Sequence, residues 1–545
     1  MRFVWFQRRS PLRFYVFVAA LLGAALACAR ADGPANYANV TPIGYVTPFG
    51  GGGITPLYEA TLNEATSTLV PPTVVAGLPS ATARPTQNLA HTPTPDATRS
   101  SILSRQTTES YTVQRGDTLN LIGEKYGVTA AEIAAANGIT ISDTLFAGQA
   151  LIIPIPTEKP YGPDLKILPD SEFVYGPGTI DFNLPAFIES QHGYLATYTE
   201  DVPGYFLDNR VDTATVTGSD IVRLTAQRYS INPRLLLAVL EYQSGWVTQK
   251  KPSDNSLVYP LRRVEAGREG LFRQLNWAAN ELNSGYYLWR VGGIVSWSFR
   301  DNSLRLIAPG LNSGTVGVQN FFAQVFGVEA WTKAVSADGF LVTYRALFGN
   351  PFALAYEPLV PTDLIQPSLQ LPFEPGQVWA FTGGPHGAWG SGSAWGALDF
   401  APPAEAEGCT LSDEWVAAAA PGLIVRSEYG AALEDLDGDG YEGTGWVLFY
   451  MHIEVRDRVP VGTYVQAGDF IGHPSCEGGI SNGTHIHLAR KYNGEWISAD
   501  GSLPFVLEGW VSSGFGREYD GALTQGDLYV EAFDGRSEIN EIAKP

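Results

Sequence analysis

Cysteine and methionine are scarce, three and two in 545 residues, and beyond Ala27 no apolar run is long enough to cross a bilayer. The counts exclude a cysteine-stapled framework and a multispan membrane protein. Positive charge is short as well: 35 Lys and Arg stand against 56 Asp and Glu, for a net charge of −21 and a pI near 4.8. Such a chain repels nucleic acid and anionic headgroups, which argues against a polyanion-binding role. Hydrophobic residues at 45% and aromatics at 12% are ample for globular cores, and the length calls for about three or four domains.

The amino terminus reads as an export signal over residues 1–28. Arg2, Arg8, Arg9 and Arg13 precede a short apolar run, Phe14 to Ala27. Ala25-Leu26-Ala27-Cys28 resembles a lipobox, which implies a lipid anchor at Cys28 and an extracytoplasmic, membrane-anchored protein. Plain secretion, with cleavage after Ala27 or Ala31, is the alternative. Residues 29–108 are rich in Thr, Pro, Ala and Gly without apolar periodicity, so a disordered tether is expected.

Residues 109–156 carry a compact pattern. Tyr111-Thr112-Val113 predicts a strand, Thr118 a helix cap, Leu119, Ile122 and Tyr126 one apolar helical face, and Thr129 to Ala136 a second helix stopped at Asn137-Gly138. Leu151-Ile152-Ile153 closes as a strand. This βααβ order and its motifs, Tyr111 to Leu119, Ala135 to Ile139 and Ala147 to Pro154, closely resemble a LysM domain. The resemblance implies binding to N-acetylglucosamine-containing glycan, hence attachment to peptidoglycan.

In residues 161–371, helical spacing runs from Ser219 to Leu240, divided at Ile231-Asn232-Pro233, and again over Gly270 to Ser284 and Gly314 to Phe326. Ile231 to Trp246 resembles the first motif of lysozyme-like transglycosylases and glucosaminidases. Gln243 stands where those families place an acidic Glu, and an amide cannot serve as a general acid. Glu241, two residues earlier, points about 200° away on a helix. A mainly α, lysozyme-like domain without glycan cleavage is expected.

Residues 373–545 are rich in Gly, aromatics and short alternating runs, as an antiparallel β domain requires. His485-Ile486-His487 lies in a strand-like run, so both imidazoles share a face. An isolated pair of this kind is more often an exposed polar strand. Upstream, however, stand His386 and, after twelve intervening residues, Asp399 between Leu398 and Phe400. A carboxylate among apolar neighbours needs a partner, and a zinc ion would be one. His386, Asp399 and His487 supply two nitrogens and one oxygen, leaving a fourth position open, as a catalytic site requires.

Gly383 to Phe400, Phe449 to His452 and Cys476 to Leu488 resemble the β-lytic, staphylolysin-like branch of the lysostaphin-type zinc endopeptidases, over about 125 residues from Phe373 to Ile497. The lysostaphin branch places its first His four residues before the Asp, where Trp395 stands here. The β-lytic branch uses the longer spacing that His386 fits. The resemblance implies zinc on His386, Asp399 and His487, catalytic roles for His452 and His485, and a Cys409–Cys476 disulfide. It also implies hydrolysis of peptide bonds in peptidoglycan stems or crossbridges. His473 has no motif partner and reads as a loop residue.

Asp435, Asp437 and Asp439 with Gly440 form the first half of an EF-hand-like calcium loop. Position 12 is Trp446, so the bidentate Glu is missing and Glu442 is the nearest substitute. A solvated acidic hairpin turn reads equally well. The whole is thus a multidomain α+β protein, with a non-catalytic peptidoglycan-binding regulator of another hydrolase as the rival function. Oligomeric state is not legible.

Overall fold

The structure, a computed structural model, describes residues 105–545 except 115, 208–212 and 405–407. The export segment, Cys28 and the tether as far as residue 104 lie outside the described residues. Among the described residues no helix is long and apolar enough to cross a membrane.

The first module has the expected βααβ order: β1 (Glu109–Thr112), α1 (Leu119–Tyr126), α2 (Ala130–Asn137) and β2 (Ala150–Ile153), with β1 and β2 antiparallel. The anticipated caps form. Thr118 Oγ1 accepts from Leu121 N at 3.2 Å, and Thr129 and Glu132 make a reciprocal capping box. Ile122, Ile133, Leu151 and Ile153 fill a small core of its own. α1 docks on the middle region, where Ser298 N donates to the buried Glu124 Oε1 at 2.9 Å.

In the middle region, α3 (Gly218–Tyr229) and α4 (Pro233–Ser244) are divided where the Asn232-Pro233 pair breaks one helix and opens the next. The long α5 (Leu271–Val291) packs on α6 (Ser313–Val325). Gln243 is 3% exposed, with its side-chain nitrogen and oxygen unpartnered. Glu241 accepts from Val247 N and Thr248 N at 2.9 and 3.1 Å. Neither therefore stands free in an open cleft as an acid.

The C-terminal region is built on an antiparallel sheet. Its central strands are β3 (Val378–His386), β4 (Ala397–Ala401), β5 (Gly422–Glu428), β6 (Ala431–Asp435), β7 (Trp446–Met451) and β8 (Ile486–Tyr492). They lie in the order β5-β6-β7-β8-β4-β3, with short strands at both edges. Alternation along β6, β7 and β8 sorts the side chains. Ala432, Leu448, Tyr450 and Leu488 face a core made with Phe505, Leu507 and Leu523 of the same region. Leu433, Val447, Phe449, Met451 and Ala489 face the other way, into the core of the middle region with Trp496. The sheet is thus covered on both sides, and the middle region supplies one cover. Buried polar ties join the two. Ser230 Oγ donates to Gly494 O at 2.6 Å, Trp496 N donates to Tyr287 Oη at 3.0 Å, and Arg290 Nη2 pairs with Glu495 at 2.7 Å.

Candidate metal centre

His487 on β8 is paired directly opposite Asp399 on β4, so their side chains leave the same face. β3 runs past β4 with two register shifts and ends on His386. Bulges of this kind re-aim a strand's side chains. Gly383 pairs with Asp399, and a Cβ there would lie 2.6 Å from Asp399 Oδ2. Only glycine leaves room for that carboxylate.

Three atoms converge. His386 Nε2 is 3.0 Å from His487 Nδ1 and 3.2 Å from Asp399 Oδ1, and His487 Nδ1 is 3.3 Å from the same oxygen. Ligand atoms at about 2.0–2.1 Å from a tetrahedral zinc stand about 3.3 Å apart, so the triangle has the size of one tetrahedral face. The outer nitrogens are taken: His386 Nδ1 donates to Gly384 O at 2.8 Å and His487 Nε2 to Ala388 O at 3.0 Å. These bonds fix the tautomers that leave His386 Nε2 and His487 Nδ1 as lone-pair donors. Asp399 Oδ1 is buried and has no hydrogen-bond partner. Burial alone would raise its pKa, but the His386 and His485 imidazoles hold it well below the usual carboxylate range. A buried anion ringed by imidazoles fits a cation.

His452 and His485 flank this triangle, their ring centroids 4.5 Å apart. His485 Nε2 is 3.8 Å from Asp399 Oδ1, with Nδ1 at 2.7 Å from Gly483 O. His452 sits at φ +65° and donates Nδ1–H to Glu477 O at 2.9 Å. Burial, then the neighbouring His485 and His487, pushes its pKa well below the usual histidine range, so it is neutral at pH 7. Cys409 and Cys476 are disulfide-bonded, which pins the loop that carries Glu477. His473 lies apart, between Glu414 O and the Trp415 ring.

Tyr519, unmarked by any sequence motif, stacks on the His386 ring with centroids 4.2 Å apart. Gly384 N donates to Tyr519 O at 2.8 Å, so the turn between the strands Trp510–Gly514 and Gly521–Gln525 forms a wall of the site. The floor is Phe449, 6.1 Å from the His487 ring centroid. Over Phe449 lies Trp389 at 6.0 Å, and over Trp389 the Arg228 guanidinium of α3 at 5.2 Å. The cover supplied by the middle region therefore reaches the edge of the site.

Asp435, Asp437 and Asp439 also come together, with one oxygen of each within 4.8 Å of the others. The turn's own donors occupy the oxygens of Asp435, from Asp437 N, Gly438 N and Gly440 N, and Thr444 Oγ1 holds Asp439. Glu442 is turned away, paired with Arg426 at 3.0 Å and Lys491 at 3.2 Å. It is not placed as the missing calcium ligand, and the three carboxylates lie within the turn that joins β6 and β7.

Residues 111–154 match the model of the LysM domain, and residues 166–361 match that of the LasA N-terminal domain. The second match gives the middle region a relative other than the lysozyme-like enzymes suggested by Ile231 to Trp246. The protease LasA of Pseudomonas aeruginosa strain PAO1 is 26% identical over 359 residues, covering 62% of this chain and 76% of that protein. LasA of strain UCBPP-PA14 gives the same figures. Among solved structures, the M23 metalloprotease pseudoalterin from the deep sea is 24% identical, covering 31% of this chain and 96% of that one, with a TM-score of 0.26. The catalytic domain of lysostaphin from Staphylococcus simulans is 25% identical over 22% of this chain and 85% of that one, with a TM-score of 0.16. Scores this low carry no structural argument.

Proposed function

We propose that this LasA homologue is a zinc metalloendopeptidase that hydrolyses peptide bonds in bacterial peptidoglycan, with its LysM domain holding it to the glycan. The observation that carries the reading is the triangle of His386 Nε2, Asp399 Oδ1 and His487 Nδ1, of tetrahedral size and with both imidazole tautomers set by backbone carbonyls. Zinc held there supplies Lewis acidity and a nucleophile at neutral pH.

The rest falls to the protein's own groups. His452 is buried and neutral, and its bond to Glu477 O leaves Nε2 free to accept a proton. His485, whose ring lies beside that of His452, presents its Nε2 toward Asp399. The pair divides between them removal of the attacking water's proton and its delivery to the leaving amine. The Tyr519 ring restrains His386, and the burial of all three ligand side chains keeps bulk water from weakening the electrostatics. A non-catalytic regulator is the weaker reading, because such proteins typically lack one of these five groups and here all five are present and convergent.

The test is mass spectrometry of fragments released from purified peptidoglycan by the zinc-loaded protein, intact and after proteolytic removal of the middle region. New amino termini within stem peptides or crossbridges are expected. Fragments with new reducing sugar ends alone, or none in either preparation, would overturn the proposal.

A further inference from the structure

The segment 387–395, Gly-Ala-Trp-Gly-Ser-Gly-Ser-Ala-Trp, joins ligand His386 to the strand that carries ligand Asp399. Its Ala388 carbonyl also takes the Nε2–H of ligand His487. All three ligands thus depend on one loop. Its composition works against order, since its three glycines lose more backbone freedom on fixing than any other residue does. Inside the loop, Ala388 N donates to Ala394 O at 2.9 Å and Trp389 N to Ser393 Oγ at 3.0 Å, which ties its base.

The tip is tied from outside. Asn280, on α5 of the middle region, accepts from Gly392 N at 2.8 Å through Oδ1 and meets Ser391 Oγ at 3.3 Å through Nδ2. The loop lies so close to α5 that a Cβ on Gly392 would stand 2.1 Å from Asn280 O and 2.7 Å from Ser284 Oγ. Trp389, next in the loop, is edged by Tyr229 at 6.4 Å and capped by Arg228. Glycine at the tip and asparagine on the helix face therefore serve one contact. Asparagine is also a poorer helix former than alanine at such a position, so helix stability does not account for it.

We propose that Asn280 is a positioning residue for the metal centre, acting across the boundary between regions: it clamps loop 387–395 and thereby holds the ligand set in its metal-binding geometry. The proposal rests on the zinc-site reading above. It makes the middle region part of what assembles the centre, in addition to being a cover over the sheet.

The experiment is zinc affinity of the full chain, measured by competition with a chromogenic chelator, alongside the thermal midpoint of the metal-free protein. Asn280→Ala is expected to weaken zinc binding about tenfold, the lower end of the range for groups that support ligands, with little change in the midpoint. Asn280→Asp keeps an acceptor for Gly392 N and is expected to bind as the parent does. Asn276→Ala, whose side chain bonds only within the helix to Phe272 O, is the control and should also match the parent. Gly392→Ala, which forces the loop off α5, should weaken zinc at least as much as Asn280→Ala. Parent-like zinc affinity in Asn280→Ala would overturn the clamp. Parent protein that binds no zinc, or a His487→Ala variant that binds it normally, would instead overturn the zinc-site reading itself.

Discussion

Cutting the chain between the middle region and the peptidase region should leave the two pieces together and hydrolysis low until the middle piece is destroyed. The joining stretch has exposed residues at Thr362, Asp363 and Ile365, so a specific protease site can be placed there. Separation would expose Leu433, Val447, Phe449 and Trp496, each at most 3% exposed in the intact protein. At about 1.5–3 kcal/mol per large apolar side chain, the sheet side alone loses about 6–12 kcal/mol. Trp496 N would lose Tyr287 Oη and Gly494 O would lose Ser230 Oγ, though both groups could then meet water. Association at micromolar concentration needs about 8 kcal/mol net, and the helix side contributes its own buried area against the entropy of association. The cut pieces should therefore co-elute on gel filtration at micromolar protein. Because the covered face also bears His487 and Asp399, the cut protein should gain little hydrolysis. Digestion of the middle piece also removes the Asn280 clamp, so with zinc supplied well above the weakened affinity it should then raise turnover of peptidoglycan peptides by an order of magnitude or more. Spontaneous separation after the cut, or full turnover by the uncut chain, would refute the reasoning.

His487→Ala should abolish stoichiometric zinc by metal analysis, whereas His452→Ala and His485→Ala should retain zinc and lose about 100- to 10,000-fold in hydrolysis, the usual range for proton transfer. Cys409→Ser with Cys476→Ser opens a bridge spanning 67 residues, for which chain entropy gives about 4 kcal/mol of lost stability. A lower thermal midpoint and slower hydrolysis at unchanged zinc content are expected, because Glu477 beside Cys476 holds His452. Burial pushes the pKa of Glu124, at the LysM contact, up to about 7, so the docked state holds a proton that the undocked carboxyl releases near its ordinary value of 4.5. Docking is then fully favoured below about pH 4.5 and weakens by up to about 3 kcal/mol as pH rises through 7. Rate-corrected hydrogen exchange at Ser296–Ser298 should be faster at pH 8 than at pH 5, and Glu124→Gln should remove the difference.

The LysM module was legible in its local periodicity and helix caps, and the candidate ligands in the His485-Ile486-His487 alternation and in the family resemblance that His386 and Asp399 carry. Asp399 announced itself as a charge between Leu398 and Phe400, and on β4 those two neighbours turn to the opposite face from the ligands. The groups that support the ligands carried no such mark. Ala388 contributes a backbone carbonyl, Gly383 an absence of side chain, and Tyr519 stands 32 residues beyond His487 in a turn. The covering of the sheet did leave a trace. Trp446-Val447-Leu448-Phe449-Tyr450-Met451 is apolar at every position rather than at every second one, which is the pattern of a strand buried on both faces. The buried Lys491 and Glu442, like Glu495 with Arg290, carry the same message, since charges on that face need partners that the sheet alone does not provide. What the helical spacing in the middle region could not reveal is the target of its apolar surfaces. That information lies in the register of strands more than a hundred residues away, where Leu433, Phe449 and Ala489 align across three strands beside the candidate metal ligands.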